Sequence, residues 1–185
     1  GVGGQMYACK TLIRSPISQV VDWSLLDSTM ISVPPPNLVL RLGMALRRVA
    51  CFTWLLISAK RASVLIFSGD GPSFLEKGLM ALIARWSGLR VVFCPRSGML
   101  LDDLERSAVY RWYIPFVLRR VSVVLAQGPS WERLFSEFVR GSAARVIAIP
   151  NWIDTTSYKQ EPARGSTRGA AVVALYLGWL EPFKG

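Results

Sequence analysis

The stretch Val64-Leu65-Ile66-Phe67-Ser68-Gly69-Asp70-Gly71-Pro72 is followed, after 18 intervening residues, by Val91-Val92-Phe93-Cys94-Pro95-Arg96-Ser97-Gly98. Two short apolar runs, each ending in a glycine- or proline-containing turn and separated by a helical pattern over Ser73 to Ser87, predict a βαβ unit. The same grammar continues downstream. A helix is expected from about Leu104 to Arg119, disturbed at Pro115, then a strand from Val121 to Ala126 and the turn Gln127-Gly128-Pro129. A helix from Ser130 to Phe138 and a strand from Arg145 to Ile149 complete a second unit. Short apolar strands alternating with helices imply an α/β, Rossmann-like parallel sheet flanked by helices and buried on both faces.

Upstream the pattern is less regular. Gly1-Val2-Gly3-Gly4-Gln5 reads as a glycine loop with no strand before it, so a first strand is expected to be missing. A short helix over Met6 to Leu12, a strand over Gln19 to Leu26, a loop at Pro34-Pro35-Pro36 and a helix from Leu38 to about Ala59 follow. The apolar run Val49 to Ile57 is half the length of a membrane span and precedes Lys60 and Arg61, which predicts a buried helix. After Pro150 the composition changes. Residues 1–154 form one predicted domain, 155–170 a polar linker, and 171–185 the first strand and loop of a second domain.

Composition narrows the chemistry. The hydrophobic fraction of 51% in 185 residues calls for a real core, and the formal charge of +10, from 22 Lys and Arg against 12 Asp and Glu, favours an anionic partner. There is no histidine, which removes Ser-His, Cys-His and zinc-hydrolase mechanisms. Cys9, Cys51 and Cys94 are too few and too scattered for a disulfide framework or a metal site, in keeping with a reducing, cytoplasmic setting.

Ligands of an open parallel sheet bind beyond the carboxyl ends of its strands. Gly3 and Gly4 suit either a tight turn or an approach of backbone N–H groups to a phosphate. Arg96 offers a planar cation for phosphate or carboxylate, with Ser97 and Gly98 beside it, although alone it reads first as one half of a surface salt bridge. Ser130, after Gly128 and Pro129, reads first as a helix N-cap. Asp22 and Asp27 lie about 20 residues past the glycine loop, as a ribose-binding acid would, but Met6 stands where the third glycine of a dinucleotide fingerprint belongs. The adjacent Asp102 and Asp103 are assigned no chemistry. Arginines 41, 47 and 48, and the segment Tyr110-Arg111-Trp112-Tyr113-Ile114-Pro115-Phe116 with Arg119 and Arg120, mix aromatic and basic groups as membrane-surface elements do. Core packing with snorkelling arginines explains them as well. No nucleic-acid module is present in this pattern.

Taken in order, the glycine loop, Pro95-Arg96-Ser97-Gly98, Val124-Leu125-Ala126-Gln127-Gly128-Pro129-Ser130-Trp131, Ile149-Pro150-Asn151-Trp152-Ile153-Asp154 and Leu177-Gly178-Trp179-Leu180-Glu181-Pro182-Phe183-Lys184-Gly185 resemble the family-4 retaining glycosyltransferases of GT-B fold. The resemblance implies an N-terminal, acceptor-side domain of an enzyme that transfers a sugar, with retention and without metal, from a nucleotide sugar to a saccharide or lipid-linked acceptor. It implies donor-diphosphate contacts at Gly3, Gly4 and Lys184, and an acceptor-side cleft with Arg96, Ser97, Gly128, Ser130 and Asn151. Trp179 departs from the family, which has an arginine there, and the family's paired glutamates lie beyond Gly185, so this chain alone is expected to be inactive. No cofactor is implied. The positive charge and the aromatic-basic segments add the expectation of peripheral contact with an anionic membrane at its cytoplasmic face. The rival expectation is a nucleotide- or dinucleotide-binding Rossmann module without transferase activity. A glycosidase is disfavoured because no convincing pair of catalytic carboxylates is visible.

Overall fold

The computed structural model describes residues 4–28, 37–59 and 62–153. The expected linker and second-domain strand, with Lys184, Trp179 and Gly3, lie outside them. Helix α1 spans Gly4–Arg14 and is followed by a 3-10 turn at Pro16–Gln19. Helix α2 is Leu38–Ser58, entered through Asn37, whose side chain accepts the Leu40 N–H at 2.9 Å. Then come β1 Ser63–Ser68, α3 Gly71–Trp86, β2 Arg90–Pro95, α4 Leu100–Arg106 and α5 Ala108–Leu118. Last are β3 Val123–Ala126, α6 Pro129–Val139 and β4 Arg145–Ala148.

The four strands are all parallel, in the order β1-β2-β3-β4. A sheet that grows in one direction through right-handed crossovers collects its crossover helices on one face. The core agrees. Ile66, Phe93 and Val124 share a row across β1, β2 and β3, and pack in one cluster with Phe74 of α3, Ile114 and Val117 of α5 and Phe135 of α6. Phe74 and Phe93 meet edge to face at 5.4 Å. In α3 the buried positions Phe74, Lys77, Gly78, Ala81 and Ala84 recur every three to four residues, and the small ones let the helix lie close to α5.

Several expectations need correction. The row Leu65, Val92 and Val123 on the opposite face is only half-buried, although Cys94 farther along that face is buried, so this face is covered less completely than the core face. Residues 19–26 form no strand: the 3-10 turn ends there, Val20 is 82% exposed, and among the described residues β1 pairs only with β2, leaving this apolar run without a ladder. Helix α2 is not buried. It packs chiefly on α3, buries Phe52 alone, and leaves Trp54 and Ile57 each 69% exposed.

The helix expected at 104–119 is two helices. The break falls at Ser107, whose backbone is extended, and not at Pro115, which sits inside α5 and removes a single helical hydrogen bond. Between α2 and α3 lies an ion cluster. Arg48 grips Glu76 through two 2.7 Å hydrogen bonds, and Lys77 reaches the same carboxylate at 3.0 Å. Burial opposes the Glu76 charge, but these two cations outweigh it and hold the carboxyl below its ordinary range. Burial in turn pulls Lys77 down.

Candidate functional site

Because the strands are parallel, the turns that follow them open at one edge of the sheet. Pairing continues past the strand ends there: the Arg96 N–H donates to the Ser68 carbonyl at 2.7 Å, and the Ile149 N–H to the Ala126 carbonyl at 2.8 Å. These bonds carry the β2 and β4 turns outward in register. Arg96 Nη2 then donates to Asn151 Oδ1 at 2.6 Å, joining two residues 55 positions apart. The guanidinium carbon lies 4.8 Å from the Trp152 ring centre and 5.7 Å from that of Phe67, with the two rings 6.2 Å apart. Trp152 Nε1 donates to the Ala8 carbonyl of α1 at 3.0 Å. One cation of the β2 turn is thus held by groups from β1 and the β4 turn, with α1 anchoring the Trp152 ring.

None of the groups holding Arg96 carries a negative charge. Among the described residues it has no carboxylate within bridging distance, so no salt-bridge partner is found there. A guanidinium fixed by an amide oxygen and two ring faces keeps N–H groups for an anionic oxygen at the sheet edge.

Ser97, next in sequence, serves the turns themselves. Its Oγ donates to Asp70 Oδ1 at 2.5 Å and accepts the Met99 N–H at 3.3 Å. Beside it, Asp103 Oδ2 accepts the Gly71 N–H at 2.6 Å. Gly71 has φ +52°, a left-handed backbone that a side chain would strain. Asp103, given no chemistry from sequence, therefore fixes the turn between β1 and α3. Tyr110 leans on the same spot: burial, and then the charges of Asp103 and Asp70, push its hydroxyl up. Burial likewise pushes up the Cys94 thiol, which Arg96 only partly offsets.

The other expected site residues are placed differently. Gly128 is the N-cap of α6 in ordinary extended backbone, with Pro129 in the first turn, so Ser130 is not the cap; it is exposed inside that turn. No hydrogen bond among the described residues links Gly128 or Ser130 to Arg96 or Asn151. Gly4 begins α1, and a methyl group there would meet nothing within 4 Å; Gln5 beside it comes within 3.4 Å of where a side chain on Gly69 would start. The first turn of α1 thus adjoins the turn after β1. Among the described residues no three His, Cys, Asp or Glu converge as a metal site would require.

A family model described as a glycosyl transferase 4-like domain matches residues 21–152. The chain belongs to this family. No curated protein and no solved structure gives a significant match. The matched span of the glycosyl transferase 4-like domain contains Arg96, Ser97, Gly128, Ser130 and Asn151, whereas Gly3, Gly4 and Lys184 fall outside it. Membership makes the chain part of a glycosyltransferase and accords with the Rossmann-like sheet. Sequence reasoning missed Trp152 and Phe67 as the aromatic walls around Arg96, and Asp70 and Asp103 as braces of the turns after β1 and β2. The aromatic after Asn151 was a visible signal; the pairing of carboxylates with a serine and a backbone N–H across 27 and 32 residues was not.

Proposed function

We propose that this domain holds the acceptor during transfer of a sugar, with retention, from a nucleotide sugar to a saccharide or lipid-linked acceptor. The observation that carries the reading is Arg96, a cation bound among the described residues only to neutral groups at the edge of the sheet where the turns after the strands open, beside Asn151. Such a guanidinium suits an acceptor phosphate or carboxylate and orients the acceptor hydroxyl by bidentate hydrogen bonding.

On the donor side, departure of a nucleoside diphosphate develops negative charge, which backbone N–H groups and cations stabilise without needing a metal. Family likeness assigns that role to Gly3, Gly4 and Lys184. The placement of the α1 N-terminus next to the β1 turn supports this assignment for Gly4.

The test is sugar transfer from a panel of UDP- and GDP-sugars to membrane lipid extracts, using the whole protein. Arg96→Ala should lower kcat/KM for the acceptor by roughly 10- to 150-fold, the range for a lost hydrogen bond to a charged group, while the donor KM holds. A change confined to the donor KM would remove Arg96 from the acceptor side. Transfer to no acceptor from any nucleotide sugar would sink the reading altogether.

A further inference from the structure

Helix α5 has two unlike faces. Ile114, Val117 and Leu118 are completely buried against the core, while Val109 and Trp112 on the outer face are 60% and 62% exposed. Trp112 stacks on Phe116 with ring centres 4.8 Å apart, and the Arg120 guanidinium lies 3.6 Å above the Phe116 ring. An open groove of about 440 Å³ runs along this face, lined by Arg111, Trp112, Pro115, Phe116, Arg119 and Arg120. Its floor is aromatic and its rim cationic, with no acidic residue in the lining.

The three guanidiniums all bind backbone carbonyls. Arg111 reaches those of Leu104 and Glu105, Arg119 that of Phe138 at 2.6 Å, and Arg120 that of Phe116 at 2.9 Å. Carbonyls orient a guanidinium without cancelling its charge, and among the described residues no carboxylate pairs with any of the three. A second copy of the chain is a poor occupant, because a symmetric contact here would set three cations against three. An exposed tryptophan within a ring of fixed arginines is the arrangement that sits at the headgroup level of a bilayer.

We propose that the outer face of α5 docks the protein on an anionic lipid surface, with headgroup phosphates in the arginine-lined groove and Trp112 among the headgroups. This rests on α5 alone and not on the acceptor role of Arg96. The experiment is co-sedimentation of the full chain with phosphatidylglycerol–phosphatidylcholine vesicles and with pure phosphatidylcholine vesicles, at low and high salt. Binding should require the anionic lipid and weaken with salt.

Each basic side chain at such a surface is worth roughly fivefold in partitioning, so Arg119→Ala with Arg120→Ala should cost about 25-fold. The paired lysine substitutions at the same positions should retain most binding, and Trp112→Ala should weaken it with charge unchanged. The control is Arg133→Ala with Arg140→Ala, which removes equal charge from exposed positions outside the groove. An equal loss in the control pair would reduce the effect to net charge and overturn the proposal. So would indifference to lipid charge, or binding of a single-stranded RNA that the α5 variants abolish while vesicle binding persists.

Discussion

Gly78 sits where α3 crosses α5, and replacing it with alanine sets two opposing effects against each other. An alanine in the middle of a helix gains about 1 kcal/mol over glycine from backbone entropy. The added Cβ, however, would lie 2.9 Å from Tyr113 Cε1, 3.0 Å from its hydroxyl and 3.0 Å from Val117 Cγ2. Val117 is fully buried, and the Tyr113 hydroxyl is tied to the Leu75 carbonyl at 3.1 Å, so neither is a loose chain end that swings aside. Overpacking of this kind costs about 1–3 kcal/mol, and turning the Tyr113 ring out of its hydrogen bond costs about 1 kcal/mol more. The expected balance is a net loss of roughly 1–3 kcal/mol. Urea unfolding of Gly78→Ala, followed by tryptophan fluorescence with the m value checked for constancy, reads it directly. The double variant Gly78→Ala, Val117→Ala should recover part of the loss, since the two positions share the clash. A Gly78→Ala protein more stable than the parent by the full helix-propensity gain would refute the close approach of α3 and α5.

Two further outcomes follow from buried groups. Glu76 is held below its ordinary value of 4.5 by Arg48 and Lys77, so its stabilising contribution is complete above that pH and disappears as pH falls through the lower folded value. Glu76→Gln should flatten that acid limb in pH-dependent urea melts; an unchanged limb would mean that the ion cluster does not form in solution. Burial pushes Tyr113 up to about 12 from 10.0, so the unfolded chain loses this proton first and stability should fall as pH rises between those values. Tyr113→Phe should remove that alkaline loss, and a loss of the same size in the variant would place the titration elsewhere. Thiol chemistry tests the fold at one more point: Cys51 is exposed and Cys94 buried, so a disulfide reagent under native conditions should label Cys51 first and reach Cys94 only on unfolding.

How far the fold was legible depended on whether a segment carried its own punctuation. From Val64 onward each apolar run ends in a turn, such as Gly71-Pro72 at the start of α3 and Gly128-Pro129 at the start of α6, and the alternation of strand and helix follows, except that two helices stand between β2 and β3 where one was expected. Residues 19–26 have strand composition but no partner edge, and a strand is decided by its ladder more than by its propensity. Pro115 misled for a related reason. Local rules price a proline by its missing hydrogen bond, while burial of Ile114, Val117 and Leu118 on the core holds α5 together across it. The exposure of α2 was invisible because an apolar helix reads the same whether its outer face is covered or not.

The candidate site shows the same division between local and long-range information. Arg96 and Asn151 were each identifiable as polar residues in a turn after a strand, yet a single residue in that position fits a salt bridge as readily as a ligand site. What separates the two is that Arg96 is held by an amide oxygen and an indole from the turn after β4 and a phenyl ring from β1, with no acid among them. Neutral groups fix the geometry of a guanidinium without neutralising it, so the orientation comes from the fold while the charge stays available to a ligand. The carboxylates nearby are committed elsewhere, Asp70 to Ser97 and Asp103 to the Gly71 N–H, and so brace the turns without quenching the cation. The groove on α5 repeats the device with backbone carbonyls in place of Asn151. In both places the excess of 22 basic over 12 acidic residues becomes specific because the arginines are positioned by partners that carry no charge.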